Sequence, residues 1–179
     1  PFVTTYHGAY RENGRFKNWY NSVMASGDAV IANSRYTADL IRERYGTPDA
    51  RITVIHRGVD GRVFDPASVS AERVAALRGS WGLAPGQPVI LQPARLTGWK
   101  GQAVGIEAAR LLGGSGRLGN AAVILAGDSQ GRDGYAEALK SQIPAAGLDG
   151  VVRLVGHVTD MPAAFAAARV AVVASTEPE

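Results

Sequence analysis

Residues 29–48 read AVIANSRYTADLIRERYGTP, and the order of residue types in this stretch decides the fold class. Ala29 to Ala32 is a short apolar run of strand type. Asn33 and Ser34 follow it, and either can cap a helix by accepting a hydrogen bond from a free amide of the first turn. Thr37, Ile41 and Tyr45 then recur on one helical face until Gly46 and Pro48 stop it. A strand that leads through a cap into an amphipathic helix is the unit from which parallel α/β sheets are built.

The same alternation continues on both sides. Further strands are expected at 52–55, 89–92, 121–126, 151–155 and 170–174, each an apolar run rich in β-branched residues. Helices are expected at 71–78, 101–112, 135–146 and 161–168, with Val104, Ala108 and Leu111 in register in the second of these. Leu112 to Gly119 reads as a Gly-rich surface loop, and Thr4-Thr5-Tyr6 as a strand end that delivers His7 and Gly8. Gly, Pro and Asp concentrate between Gly58 and Pro88, which marks a domain boundary, set at residues 60/61. About 60 residues with two or three strands cannot cover both faces of a parallel sheet, so 1–60 is expected to be the tail of a larger domain. Residues 61–179 are expected to be most of a second domain, cut after its last strand.

Composition narrows the chemistry. The 179 residues are 46% apolar and 20% charged, as in soluble globular proteins. Zero cysteines exclude thiol nucleophiles, disulfides and cysteine-ligated metals. No apolar run reaches membrane-spanning length and no leader pattern is visible in a chain that starts at Pro1 without a Met; the compartment is left open by these features, with cytoplasm the default expectation. The net charge of +3 is spread along the chain without a basic block, so a nucleic-acid partner is not expected and a mild preference for anions is.

In an open parallel sheet ligands bind where strands end. After the strand at 89–92 comes Pro-Ala-Arg95-Leu-Thr-Gly-Trp-Lys100-Gly, leading into a helix that starts at Gly101 or Gln102. A guanidinium and an ammonium five residues apart beside a helix amino terminus make a diphosphate clamp; two solvated loop cations satisfy the same spacing. His7 can hydrogen-bond a substrate hydroxyl or serve structure alone. Gly127 and Asp128, in AGDSQG, and His157 and Val158, in GHVTD, sit in strand-end turns that either contact a nucleoside or are simply turns. The chain ends in STEPE, whose carboxylates either hold sugar hydroxyls or are solvated.

In chain order, these segments resemble the retaining glycosyltransferases of family four, which have the GT-B arrangement of two Rossmann-like α/β domains. VIANSRYTADLIRERYG is similar to that family's late amino-terminal-domain strand and helix. ITVIHRGVDGRVFDP resembles its crossover, with Gly58, Val59, Asp60 and Phe64 matching. PARLTGWKGQ resembles its phosphate loop, ILAGDSQG its Ala-Gly-Asp turn, and VRLVGHVTDMPAAFAAARVAVVAS its Gly-turn, helix and last-strand region. The resemblance implies transfer of a hexosyl unit from a UDP- or GDP-sugar, with retention, to a glycan or lipid-linked acceptor in cell-surface polysaccharide, lipopolysaccharide or glycolipid synthesis. The enzyme would be cytoplasmic, peripheral at the membrane face. Arg95 and Lys100 would bind the donor diphosphate, His7 would act near the donor sugar as the catalytic residue, and Glu179 would bind sugar hydroxyls as the first carboxylate of a Glu-x7-Glu pattern. Gly127, Asp128, His157 and Val158 would lie near the nucleoside. No cofactor and no metal is expected, because the two cations take the metal's place at the diphosphate.

Ala94 departs from the family's Gly before the phosphate-loop Arg and restricts backbone approach there. The second Glu of the pattern would fall beyond residue 179 and a Gly-rich loop before residue 1, so the fragment by itself is expected to be inactive. Two other readings share the features: a nucleotide-sugar epimerase of the same fold, and a non-catalytic nucleotide-binding module. A dinucleotide oxidoreductase is disfavoured, since no strand is followed by Gly-x-Gly-x-x-Gly.

Overall fold

The computed structural model describes residues 1–8, 14–131 and 133–177. The chain divides into two compact units, Pro1–Val59 and Asp60–Glu177.

The first unit is a three-stranded parallel sheet in the order β1 (Val3–Tyr6), β2 (Ala29–Ala32), β3 (Ile52–Val54). Helix α1 (Arg15–Ser22) lies between β1 and β2, and α2 (Arg35–Tyr45) between β2 and β3. Of the two candidate caps it is Ser34 that closes α2, its Oγ accepting from the Thr37 amide at 3.1 Å. Asn33 instead accepts from the Thr37 hydroxyl at 2.7 Å and donates its Nδ2 to the His7 carbonyl at 2.8 Å. Gly46 ends the helix at φ 63°, where its amide reaches the Arg42 carbonyl. Tyr6, Val30, Ala32, Ala38, Leu40 and Ile41 form the core, and the Tyr6 and Tyr45 hydroxyls meet at 3.0 Å. The sequence reading assigned no element where α1 stands. Its Gly14 cap offers no side-chain acceptor; Phe16, Trp19 and Tyr20 do recur at the i, i+3, i+4 spacing of an amphipathic helix, yet they are exposed instead of forming a buried face.

The second unit is a four-stranded parallel sheet in the order β6-β5-β4-β7. It runs α3 (Ala71–Ser80), β4 (Val89–Pro93), α4 (Gln102–Gly114), β5 (Ala122–Ala126), α5 (Asp133–Ala145), β6 (Val152–Gly156), α6 (Met161–Ala167) and β7 (Val170–Ala171). Every residue of β5 is buried, because the strand is covered on both faces. Val123 and Leu125 pack with Ile106, Ala109, Leu139 and Ile143 of α4 and α5. Ala122, Ile124 and Ala126 pack on the opposite face with Trp81 and with Ala164 and Ala167 of α6. Side chains two residues apart share a face, so one apolar run serves two cores.

Two expectations are corrected in this unit. Helix α4 runs to Gly114, into the stretch read as a Gly-rich loop, because Leu112 packs against the α4–α5 core and its carbonyl accepts from the Arg117 and Leu118 amides. The last strand is regular only over Val170–Ala171. One more ladder bond, from the Val172 amide to the Leu91 carbonyl at 2.8 Å, follows before the chain turns past Gly101.

Helices α3 and α6 are joined at their amino ends by a bidentate ion pair. Arg73 donates to both carboxylate oxygens of Asp160 at 2.9 and 2.7 Å, while Asp160 caps α6 by accepting from the Ala163 amide at 3.1 Å. The Arg73 guanidinium, and then the Ala163 amide, hold the Asp160 carboxyl below its ordinary range. A depressed folded-state value stabilises the fold above the unfolded value, and that stability is lost as pH falls through the folded value. Asp160→Asn is therefore expected to lower the thermal midpoint at neutral pH, with the gap from wild type closing as the solution is acidified. Melting curves across an acid pH series check this, and a gap that stays constant would contradict it.

Candidate functional site

Because β4, β5 and β6 run parallel, the loops that follow them emerge at one edge. Three backbone hydrogen bonds stitch those loops together. The Ala94 amide donates to the Ala126 carbonyl at 3.0 Å, the Leu96 amide to the Asp128 carbonyl at 2.9 Å, and the Gly127 amide to the Gly156 carbonyl at 2.8 Å. At Gly127 the first two loops touch so closely that a Cβ would lie 2.0 Å from the Ala94 carbonyl oxygen, which leaves glycine as the residue that fits.

Buried amides fix the β4–α4 loop from below. Gln102 has no exposed surface, and its Nε2 donates to the carbonyls of Arg95 at 2.9 Å and Ala94 at 3.3 Å. Its Oε1 accepts from the Tyr135 hydroxyl at 3.4 Å. Gln92, also buried, donates to the Lys100 carbonyl at 3.0 Å and fills the space over Gly105, where a Cβ would lie 2.3 Å from its Oε1. Leu96 anchors the loop in the α4–α5 core. Buried amides are costly to leave unpaired, so these contacts hold the backbone of the loop in one course.

The two cations rise from this fixed backbone. Arg95 is exposed and donates to the Gln130 side-chain oxygen at 3.2 Å; Lys100 is half-buried with its ammonium 4.3 Å from the Trp99 ring centroid, a cation–π distance. Helix α4 starts at Gln102 behind a left-handed Gly101 and has no side-chain cap. The Ala103 amide donates to the Tyr135 hydroxyl at 3.3 Å, so one of the amino-terminal amides expected to be free for a ligand is taken.

Arg95, Gly127 and Asp128 thus lie together. His157 and Val158 instead line a cleft of about 530 Å³, with Trp81, Arg153, Thr159 and Asp160. Arg153 is turned inward there to the Trp81 and Gly150 carbonyls. His7 belongs to the other unit, exposed at the carboxyl end of β1, with its carbonyl held by Asn33 and by Arg57 at 3.3 Å. Glu179 lies outside the described residues. Sequence reasoning missed Gln92, Gln102, Gln130 and Tyr135. A polar amide within the apolar run Val-Ile-Leu-Gln was the one available signal, since a glutamine there must be paired.

Residues 1–62 match the model of Glycosyltransferase Family 4, and residues 87–179, more than half of the chain, match that of Glycosyl transferases group 1. Among curated proteins none matches. Among solved structures, a glycosyltransferase from Rickettsia africae ESF-5 is 30% identical with a TM-score of 0.84 over 99% of this chain and 46% of that one. Anabaena Alr3699/HepE in complex with UDP and glucose is 27% identical with a TM-score of 0.85, over 100% of this chain and 47% of that one. The same protein in complex with UDP-glucose gives 26% identity and a TM-score of 0.82, over 98% and 47%. The chain spans about half the length of these relatives. Its two parallel-sheet α/β units are of the Rossmann-like type found in GT-B glycosyltransferases, and the chain belongs to the glycosyl transferases group 1 family.

Proposed function

We propose that this chain carries the donor-diphosphate site of a retaining hexosyltransferase that uses a UDP- or GDP-sugar. One observation carries the reading: Arg95 and Lys100 stand at the carboxyl edge of a parallel sheet on a loop whose carbonyls are tied to buried glutamines. Breaking the bond between the anomeric carbon and the diphosphate oxygen puts new negative charge on the leaving group. Two cations on a pre-set backbone can neutralise that charge without reorganising. Arg95 offers a planar fork of donors and Lys100 a compact charge, so together they can contact both phosphates.

With this neutralisation in place the reaction requires no metal. The Anabaena complexes with UDP and UDP-glucose favour uracil as the base, and GDP is the competing choice. Gly127 and Asp128, on the loop packed against that of Arg95, are assigned to the nucleoside; His157 and Val158, which line the separate cleft beside Trp81, are assigned to it on the family resemblance alone. The donor-sugar roles of His7 and Glu179 rest on the family resemblance. The acceptor is assigned as a glycan or lipid-linked hydroxyl in cell-surface polysaccharide, lipopolysaccharide or glycolipid synthesis at the cytoplasmic membrane face. The excess of basic residues suits an anionic surface.

In the full-length protein, Arg95→Ala and Lys100→Ala are each expected to abolish turnover, and Arg95→Ala to weaken the cognate nucleoside diphosphate roughly 10- to 100-fold. Calorimetric titration with UDP, GDP and ADP, followed by sugar-transfer assays, tests both statements. Wild-type rates in both variants, or equally weak binding of all three nucleotides, would remove the assignment. Gln102→Leu leaves the carbonyls of Ala94 and Arg95 without their buried donor and is expected to cost about 1–3 kcal/mol of stability in urea denaturation. An unchanged midpoint would show that the amide does not hold the loop.

A further inference from the structure

The Arg95 side chain is long and exposed, and such a chain samples many rotamers unless something holds it. Its backbone is fixed to the β5–α5 loop by the Leu96–Asp128 hydrogen bond and by the close approach of Gly127 to Ala94. Its guanidinium is met by that same loop, through the side-chain oxygen of Gln130 at 3.2 Å. We propose that Gln130 is the positioning residue for Arg95, orienting the guanidinium for the donor diphosphate; this rests on the donor reading above.

The backbone at Gln130 gives independent support. Its φ of 47° makes it the one non-glycine residue with positive φ, among the described residues, and Gly131 follows at 80°. A glutamine gains nothing from this left-handed conformation, which glycine adopts without strain. Strain of this kind persists where the side chain it presents is needed, and it concentrates at ligand sites. The neighbouring Ser129 hydroxyl is itself anchored, donating at 2.6 Å to the carboxylate of Asp133, the first residue of α5.

The chemistry of the acceptor fits as well. A neutral amide oxygen takes one of the five guanidinium N–H groups and adds no charge, so the remaining donors and the whole positive charge stay available to phosphate oxygens. A carboxylate at the same place would orient Arg95 equally well and compete with the ligand for its charge. Gln130 is in this sense a neutral holder.

The test uses the full-length protein and titrates UDP and GDP, each beside its free nucleoside. Gln130→Gly is expected to weaken the cognate diphosphate about five-fold, through lost preorganisation. It should leave the nucleoside unchanged and the thermal midpoint unchanged or raised, since glycine relieves the strain. Gln130→Glu should weaken the diphosphate more than Gln130→Gly does. In an Arg95→Ala background the Gln130→Gly effect should vanish, because the two act as one unit. Wild-type diphosphate affinity in Gln130→Gly beside a weakened Arg95→Ala would overturn this inference and leave the donor reading standing. So would an equal loss for the nucleoside, or a loss that persists in the Arg95→Ala background. Arg95→Ala with wild-type affinity would overturn both together.

Discussion

The Gln102 amide, buried without exposed surface and bonded to the carbonyls of Ala94 and Arg95, is the contact on which the course of the loop at the carboxyl edge of the second unit's sheet depends. A loop at the end of a buried strand has to satisfy its own carbonyls, and here the first residue of the following helix does so from inside. The same side chain accepts from Tyr135 on α5, so the loop after β4 and the helix after β5 share one hydrogen-bonded centre. Gln92 repeats the device one turn away by holding the Lys100 carbonyl. Above that backbone the Arg95 side chain is exposed, while Lys100 is half-buried against Trp99.

The same economy is visible between the loops. Gly127 allows the β5 loop to lie against Ala94, and the Leu96 amide reaches Asp128 across the junction. Ala94 stands where the resembling family has glycine, and in this chain Ala94 is the residue over which Gly127 closes. The close approach is supplied by the partner loop, with the alanine's carbonyl as the surface it meets.

Much of this was legible in the sequence, and what was not has physical reasons. The strand–cap–helix pattern at 29–46 and the apolar runs at 89–92 and 121–126 identified the parallel α/β class, because burial on both sheet faces demands such runs. Arg95 and Lys100 stood out through their spacing after a strand. Helix α1 lacks the capping side chain that marks α2, and the helical spacing of Phe16, Trp19 and Tyr20 was its one sequence signal, although those side chains are exposed and build no core. The glutamines escaped because a polar residue in a sequence carries no mark of burial; only the fold turns Gln102 inward. Gln130 was hidden for another reason, since an exposed glutamine reads as ordinary surface until its left-handed backbone is seen.

Gly101 sits against the Ala174 carbonyl so tightly that a Cβ would lie 1.9 Å from its oxygen, and two residues on, the Thr176 amide donates to the Trp99 carbonyl at 2.9 Å. The segment that follows β7 therefore rests on the same short stretch of chain that carries Lys100. This fixes the length of that stretch from both sides. Insertion or deletion of a single residue between Arg95 and Gly101 would break the seat of the later segment as well as the spacing of the cations. Within a lineage carrying this contact, the four residues between them are thus expected to change in composition at Gly98, which has open space around it, far more readily than in number.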